Sequence, residues 1–295
     1  MLKNEEELWE RVGVDFCEPI KGEINREVGK RLEKIFKRKA NLKNPDIVVL
    51  IDLKNNKVDV QLNPLFIYGE YQKLVREIPQ TKWPSGKYKI SIEQIIAKPI
   101  IKATRGKSHK FHGMGREDID ARCLGWRPFV LEILEPKKRF LNLKKIEKEI
   151  NKGKKVKVRN LKYCSINEVR KIKEAKPEKT YQIKVICSRE ITKDDLKKIR
   201  SLAGKTIIQR TPIRVSHRRA DKIRRRKVVS IKVKKIGKKE LLLTIRAESG
   251  FYVKEFITGD KGRTKPSIAE VLNCECKPKD LDVLKVHFKK SEIFK

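Results

Sequence analysis

The segment His112–Arg122 concentrates side chains that could do chemistry. Three carboxylates, Glu117, Asp118 and Asp120, stand within four residues, after two glycines and between two arginines. Oxygen ligands of this kind could hold a hard cation such as Mg²⁺. The acids could instead pair with the neighbouring arginines in a glycine turn, or one aspartate could serve as a nucleophile or base beside a fixed cation. The spacing alone does not choose among these three interpretations.

The charge of the chain indicates a polyanionic partner. Its 295 residues include 75 Lys+Arg and 38 Asp+Glu, for a formal charge of +37. A heat-adapted protein rich in ion pairs would carry more balanced charge, and no basic amphipathic helix with an apolar face favours a membrane surface. Nucleic acid is therefore the expected partner.

The positive charge is clustered in two stretches. Residues 137–159 hold 11 Lys/Arg, and Arg214–Lys227 hold 8 Lys/Arg with one Asp. Like charges at this density repel one another, and the phosphates of a nucleic acid would relieve that repulsion. We predict RNA contacts that weaken with salt, from Arg210, Arg214, His217, Arg218, Arg219, Arg224 and Arg225.

The cysteines do not indicate a metal site. Of the six, only Cys274 and Cys276 lie close together in the sequence, and an isolated C-x-C is weak support for zinc. We expect reduced, mostly buried thiols in a cytoplasmic protein and no bound metal. No apolar run approaches the roughly 20 residues that span a membrane, and the first residues are polar, so a membrane or conventionally secreted protein is not expected.

Periodicity predicts a small α/β part followed by a larger part. In the first part we expect a helix over Glu23–Lys37, a hairpin of Ile47–Leu53 with Val58–Leu62, and a helix over Tyr68–Arg76. The Pro- and Gly-containing segment Ile78–Gly86 is the expected linker.

The larger part alternates strands and helices irregularly, which is typical of an α+β domain with a mixed or antiparallel sheet. The predicted strands are Phe129–Leu134, Val156–Tyr163, Tyr181–Cys187, Val228–Val233, Leu241–Ile245 and Leu281–Phe288. The predicted helices are Leu143–Ile150 and Asp194–Leu202.

The residues around the acidic loop resemble one family. Gly115–Asp118 fits the G-R-x-D signature of pseudouridine synthases, whose aspartate is their essential catalytic residue. The longer strings His109–Asp120 and Leu124–Ile133 resemble the archaeal and eukaryotic family of tRNA pseudouridine(54/55) synthases. Further segments resemble it in the same order, from near Asn44 to the C-terminus: Lys179–Tyr181, Gln209–Asp221 and Gly250–Thr264.

The resemblance implies a role for each matching residue. Asp118 is implied as the catalytic aspartate, whereas Asp120 falls two places past the signature position. Arg116 matches the arginine that takes the place of the flipped-out base. Tyr181 matches the tyrosine that stacks on the target uracil and helps to remove its C5 proton, and Lys254 matches the basic residue that pairs with the catalytic aspartate.

Two further residues are expected to contact the substrate. Tyr252 belongs to the matched Tyr252–Lys254 string, and Phe256 stands at an apolar wall position that is usually leucine in the family. Without the resemblance, Tyr181 would indicate only strand packing and Lys254 a surface lysine. His109 and His112 are left outside the expected catalytic set.

The function implied is isomerisation of uridine to pseudouridine at T-loop positions 54 and 55 of tRNA. No cofactor is expected, the T-arm is the expected partner, and the expected protein is a monomer. Residues 1–88 would form a truncated THUMP-like RNA-binding domain without a zinc module, and residues 89–295 the catalytic domain. The alternatives are a non-catalytic basic RNA-binding protein and an Mg²⁺-dependent nuclease built on the three carboxylates.

Overall fold

The computed structural model describes residues 2–13, 15 and 17–294, apart from the side chains of residues 2 and 218. The chain divides into two compact units, residues 1–63 and residues 64–295. The first unit consists of α1 (Leu2–Val12), α2 (Ile20–Phe36), β1 (Ile47–Asp52) and β2 (Lys57–Leu62).

The first unit confirms the predicted helix and hairpin. Strands β1 and β2 pair antiparallel from Ile47 opposite Leu62 to Asp52 opposite Lys57. The turn between them includes Asn56 at a φ of 48°, a left-handed conformation that asparagine adopts more readily than most residues. The hairpin leaves its apolar side chains exposed, so this unit buries little of its own surface.

The second unit is built on one ten-stranded sheet. Its strands are β3 (Leu65–Lys73), β4 (Ser108–Gly113), β5 (Arg122–Leu134), β6 (Val156–Cys164), β7 (Glu178–Cys187), β8 (Thr206–Arg210), β9 (Ile223–Gly237), β10 (Glu240–Ala247), β11 (Thr264–Lys265) and β12 (Cys276–His287). Its helices are α3 (Ile92–Thr104), α4 (Leu143–Asn151), α5 (Ile166–Glu174), α6 (Lys193–Arg200), α7 (Val253–Thr258), α8 (Ile268–Leu272) and α9 (Lys290–Ile293), with 3₁₀ segments at Ile213–Arg218 and Asp260–Gly262.

The sheet is mixed, which confirms the expected α+β class. The strands run in the order β11-β8-β9-β10-β7-β12-β5-β3-β6, and β4 pairs with β5. Strands β12 and β5 are parallel, with Asp282 opposite Arg122, and the other paired strands are antiparallel. This arrangement brings β5, which follows the acidic loop, next to β12 and one strand away from β7.

The predicted helix over Tyr68–Arg76 is wrong, because residues 68–73 belong to the strand β3 and the next three residues are irregular. β3 is buried along most of its length between β5 and β6, which suits its run of β-branched and aromatic residues. Gly69 is required at its centre, since a Cβ there would lie 2.6 Å from Leu161 Cδ2. A helical pattern cannot be distinguished from a fully buried strand by periodicity alone.

The structure therefore moves the domain boundary. The sequence placed it between residues 88 and 89, whereas the compact units meet at Asn63–Pro64, because β3 belongs to the large sheet. The expected linker Ile78–Gly86 also lies inside the second unit, where Ile92 N and Glu93 N donate to the Pro79 and Gln80 carbonyls. Among the described residues, no helix has the length and apolar character needed to cross a membrane.

Helix α3 shows how local sequence signals stabilise this unit. Ser91 caps it by accepting a hydrogen bond from Gln94 N at 3.2 Å. Ile92, Ile96 and Ile100 recur four residues apart on one face, and all three are fully buried in the core beneath β3 and β5. This core supports the strands that flank the acidic loop.

Candidate active site

The acidic loop joins β4 to β5 through a tight turn at Gly115. Gly115 has a φ of +70°, and a Cβ on it would lie 3.2 Å from Lys179 Nζ and 3.5 Å from Arg127 Nη1. Glycine is thus needed both for the left-handed backbone and for the close approach of two cations.

Glu117 anchors this loop inside the protein. Its carboxylate is 1% exposed and accepts a hydrogen bond from Tyr71 OH at 3.1 Å. Arg127 Nε lies 3.1 Å from Glu117 Oε2, as an ion pair rather than an aligned hydrogen bond. Lys73, which is fully buried, donates to the carbonyls of Asp118 and Ile119 at 3.2 and 2.7 Å. The loop backbone is therefore rigidly held from β3 and β5.

Asp118 projects from the anchored loop between two cations. Arg214 Nη2 and Lys254 Nζ each lie 3.3 Å from its Oδ2, and 34% of its side chain is exposed. Lys254 also donates to both oxygens of Asp120, at 2.8 and 2.7 Å. Partial burial acts to raise the pKa of Asp120, but the hydrogen bonds and charge of Lys254 outweigh it, so this pKa is lowered. Lys254 thus bridges two carboxylates of the loop.

Arg214 belongs to this centre, although the sequence predicted an RNA contact for it. It is the second residue of the 3₁₀ segment that follows Pro212, and its Nε donates to Glu255 Oε1 at 2.6 Å. Glu255 is buried, and it follows Lys254 directly in α7. One turn of α7 therefore supplies one cation to Asp118 and holds the other in place.

A cavity of about 260 Å³ opens beside Asp118. Tyr181, in β7, lines it and is 8% exposed, and burial raises the pKa of its phenol to about 12. Phe251 and Val253 supply apolar lining, and both residues precede or begin α7. The volume is slightly below the roughly 300–1,000 Å³ that is usual for ligand pockets.

Phe256 lies behind this wall rather than in it. It is fully buried and packs edge-on against Phe251, with ring centroids 5.2 Å apart. Phe256 was predicted to contact the base, but in the structure it supports Phe251 instead. The reason is that Phe256, three residues after Val253 in α7, faces the core. Phe251 was not singled out by the sequence, although it lies in the matched Gly250–Thr264 segment.

Tyr252 lines the cavity and is clamped through its backbone. Gln209 accepts from Tyr252 N and donates to Tyr252 O, both at 2.9 Å. The Tyr252 hydroxyl accepts a hydrogen bond from Arg219 Nη1 at 3.2 Å, and the Arg224 guanidinium lies 5.7 Å from the centre of the Tyr252 ring. Tyr252, a predicted substrate contact, thus lies in the cavity lining beside Arg219 and Arg224, two of the predicted RNA-binding residues.

The predicted RNA-binding residues divide into two groups. Arg219 and Arg224 line the cavity, as does Arg116 of the signature. Arg225 and His217 are exposed on the surface, and the side chain of Arg218 lies outside the described part of the structure. Arg210 is exposed as well, but its guanidinium is paired with Asp221 at 2.6 Å. Contacts of these residues with phosphate remain a prediction.

Lys179 is a pocket residue to which the sequence assigned no role. It is 8% exposed, and burial, followed by the charge of Arg127, lowers its pKa to about 8. Its place two residues before Tyr181 in a strand puts both side chains on the same face. The two-residue spacing of Lys179 and Tyr181 was visible in the sequence, but the sequence did not show that Gly115 and Arg127 lie close to Lys179.

A second cleft of about 300 Å³ also borders Asp118. Trp83 and Tyr88 line it, with their rings 5.6 Å apart, and both come from or follow the segment that was predicted as a linker. Gln80 Nε2 from that segment donates to Gly115 O at 2.9 Å. The segment is therefore part of the wall around the acidic loop.

The three acids do not share a ligand position. Glu117 is buried against Arg127, whereas Asp120 points to Lys254. We searched the described residues for three or more His, Cys, Asp or Glu side chains whose ligand atoms lie close enough to hold one metal ion. The group found consists of cysteines and lies outside this loop. The arrangement favours one ionic carboxylate between two cations over a magnesium cluster.

Two family models match the chain. One, described as the C-terminal part of Pus10, matches residues 66–287, and the other, described as the archaeal Pus10 THUMP domain, matches residues 1–52. The first match begins within β3 and spans the second unit, and the second lies within the first unit.

Curated proteins with the name tRNA pseudouridine synthase Pus10 are similar over most of the chain. The protein from Methanocaldococcus jannaschii is 48% identical over 260 residues, which cover 82% of this chain and 57% of that protein. The Methanothrix thermoacetophila protein is 41% identical over 304 residues, covering 97% and 67%. The Archaeoglobus fulgidus protein is 40% identical over 302 residues, covering 97% and 84%. The chain thus spans little more than half the length of the M. jannaschii protein.

Among solved structures, a Cbf5–Nop10–Gar1 complex is similar over 74% of this chain and 48% of the matched chain, at a TM-score of 0.44 and 17% identity. A pseudouridylate synthase is similar over 84% of this chain and 87% of the matched chain, at a TM-score of 0.30 and 11% identity. These likenesses are too distant to add to the assignment. The match of one family model to residues 66–287, together with identities of 40–48% to curated relatives, shows that the chain belongs to the Pus10 family.

Proposed function

We propose that this chain isomerises uridine to pseudouridine in tRNA, with Asp118 as the catalytic carboxylate. The observation that carries the proposal is the position of Asp118 between Arg214 and Lys254, at the mouth of a cavity lined by Tyr181. A non-catalytic RNA-binding surface has no need of an acid held in this way. The names of the relatives, tRNA pseudouridine synthases, support the same reaction.

The target nucleotide must leave its base stack to enter the cavity, which costs a few kcal/mol. Stacking on an aromatic ring contributes about 1–3 kcal/mol per base, and Tyr181 offers such a ring. Arg116, Arg219 and Arg224 bring positive charge to the cavity lining and can bind the phosphates on either side of the extruded base. Arg116 is also the residue we propose to occupy the space that the base leaves.

The chemistry exchanges one glycosidic bond for another. With Asp118 as nucleophile or charge stabiliser, the bond between N1 of uracil and C1′ of ribose breaks, and the uracil turns in the cavity. A bond then forms between C5 and C1′, the C5 proton leaves to solvent, and N1 takes up one proton from solvent. The product has the same atoms as the substrate, so no cofactor takes part in the balance.

The environment of Tyr181 refines its expected role. Because burial raises its pKa to about 12, the phenol stays protonated at neutral pH. A protonated phenol can stack and donate a hydrogen bond to a uracil carbonyl, but it is not a phenolate base. We therefore propose that Tyr181 orients the base and that another acceptor, such as solvent, takes the C5 proton.

We place the reaction at uridines 54 and 55 in the T-loop, on the family resemblance of the signature loop and the Tyr181 and Lys254 segments. On the same resemblance we propose that the protein acts as a monomer on the T-arm of tRNA. We place this activity in the cytoplasm.

The test compares two aspartates of the same loop. Asp118→Asn is expected to abolish tritium release from tRNA that contains 5-tritiated uridine, with tRNA affinity changed little. Asp120→Asn, the matched variant two residues away, is expected to retain measurable release, because Lys254 keeps its contact with Asp118.

The outcome separates the competing functions. The tRNA product must keep its length and mass and gain a carbodiimide-reactive pseudouridine. Tritium release by the Asp118→Asn variant would remove Asp118 from the mechanism. RNA shortened in a reaction that EDTA stops would instead indicate a nuclease, and unmodified tRNA under saturating enzyme would leave only RNA binding.

A further inference from the structure

Three cysteines from separate segments meet at the far end of β7. Cys187 ends β7 and lies opposite Cys276, the first residue of β12. Cys274 lies in the turn between α8 and β12. The Sγ atoms of Cys187 and Cys276 are 3.7 Å apart, those of Cys274 and Cys276 are 3.9 Å apart, and all three lie within 4.8 Å of one another.

These separations fit thiolates around one ion. Zinc binds cysteine sulfur at about 2.3 Å, and two such sulfurs in a tetrahedral site lie about 3.8 Å apart. Thiolates favour soft or borderline cations, above all zinc, over magnesium or calcium. A cluster of three sulfurs at this spacing is therefore compatible with a single ion without large movement of the side chains.

The backbone holds the three sulfurs in place before any ion binds. Cys187 N donates to Lys239 O at 2.8 Å, and Cys274 N donates to Ala269 O at 3.1 Å. Ser188 N donates to Glu275 O at 2.9 Å, which ties the end of β7 to the turn that carries two of the cysteines. Asn273 stands at a φ of 48° and ends α8, so that the chain reverses directly before Cys274.

The cluster is also accessible and has a cation beside it. Cys187 and Cys276 are buried, but Cys274 is only partly buried and leaves an approach from solvent. Arg189 Nη2 donates to Leu272 O at 2.6 Å, next to the turn of Cys274. A site of three thiolates and one divalent cation carries a net charge of −1, which this guanidinium can offset only in part, because it is also paired with Asp195 at 2.7 Å.

We propose that Cys187, Cys274 and Cys276 form a zinc site that joins the end of β7 to the start of β12. Binding would release the three thiol protons to solvent and leave the fourth coordination position to a water molecule. The sequence expectation of no metal rested on the isolated Cys274–Cys276 pair, and the fold supplies the third thiol from a residue 89 positions away.

The experiment titrates the reduced, metal-free full chain with Co²⁺ alone and then displaces it with Zn²⁺. We expect one equivalent of Co²⁺, with the intense sulfur-to-metal charge-transfer band of thiolate ligation, and its loss on addition of Zn²⁺. Cys274→Ser should weaken binding by more than about 100-fold, since even changes outside the ligand set cost 10–100-fold. Cys17→Ser is the matched control, because it also leaves five thiols but changes a residue outside the cluster.

Thermal unfolding gives a second readout. Zn²⁺ should raise the midpoint of the wild type and of Cys17→Ser, but not that of Cys274→Ser. The wild-type titration decides the question even if a variant folds poorly. The proposal is overturned if the reduced wild type shows no charge-transfer band, or if Cys274→Ser binds Co²⁺ as tightly as Cys17→Ser. It is also overturned if two of the three sulfurs are joined in a disulfide under reducing conditions.

Discussion

The two ends of β7 carry different chemistry on the same buried face. Lys179 and Tyr181 stand at the start of that face, next to the acidic loop, and Cys187 stands at its end with two further thiols. Ile183 and Val185 separate them, and the six residue steps from Tyr181 to Cys187 span about 20 Å. A single strand thus positions two sites that share no polar contact along it.

The two ends of β7 differ in how their buried polar groups are stabilised. At the cavity, full charges are buried and compensated by one another, as in Glu117 with Arg127. At the thiol end the buried groups are weakly polar and can be neutral until an ion arrives. The cavity end therefore depends on charge balance within the chain, and the thiol end depends on an added cation.

The largest expected effect follows from breaking the buried ion pair at the cavity end. Glu117→Gln leaves the charge of Arg127 buried without its partner, so we expect the free energy of unfolding to fall by about 3–5 kcal/mol. Denaturant titration measures this loss, and Co²⁺ binding at the thiol end should persist in the folded variant. Glu240→Gln is the control, because it removes a surface pair with Lys184 at 2.9 Å that contributes about 0–1 kcal/mol. Equal losses in the two variants would contradict the charge dependence of the cavity end.

A pH effect at Lys179 would sharpen the comparison. Its pKa in the folded protein is lowered from 10.5 to about 8, so the fold disfavours its charged form. The unfolded chain binds more protons between these two values, and stability should therefore rise with pH through that window. Relative to that of Lys179→Met, the free energy of unfolding of the wild type should rise by on the order of 3 kcal/mol between pH 8 and 10.5. Unfolding measured against pH for both proteins gives the difference, and a difference that does not change with pH would contradict it.

A smaller effect is expected at the turn that admits Lys179. Gly115→Ala places a Cβ 3.2 Å from Lys179 Nζ on a left-handed backbone, which costs about 1–2 kcal/mol for the conformation and more for the crowding. Because the same turn aims Asp118, we expect tritium release to fall by roughly 10- to 100-fold.

The control for this change is Gly204→Ala. Gly204 has a φ of +79° with no atom within 4 Å of its Cβ position, so it reports the backbone cost alone. Unfolding and tritium release are measured for both variants. If Gly204→Ala lowers activity as much as Gly115→Ala, the contact of Gly115 with the cavity cations is not what positions Asp118.

Local patterns were sufficient to predict much of the fold. The hairpin of β1 and β2 and the helices α4 and α6 follow from short-range periodicity and turn residues, and the structure confirms them. The strand β3 was missed because burial on both faces removes the alternation that identifies a strand. The domain boundary was misplaced for the same reason, since it depends on which sheet β3 joins.

The sequence by itself determined the G-R-E-D loop, the excess of positive charge and the segments that contain the site residues. The family resemblance already paired Lys254 with Asp118. Only the tertiary structure decided that Glu117 is an anchor, that Arg214 joins Lys254 beside Asp118, and that Cys187 joins Cys274 and Cys276. The physical reason is distance along the chain. Spacing fixes which neighbours share a turn or a face. Tyr71 lies 46 residues from Glu117, Cys187 lies 89 from Cys276, and Arg214 and Lys254 lie 96 and 136 from Asp118. Only the packing of strands, helices and turns from distant parts of the chain brings these groups together.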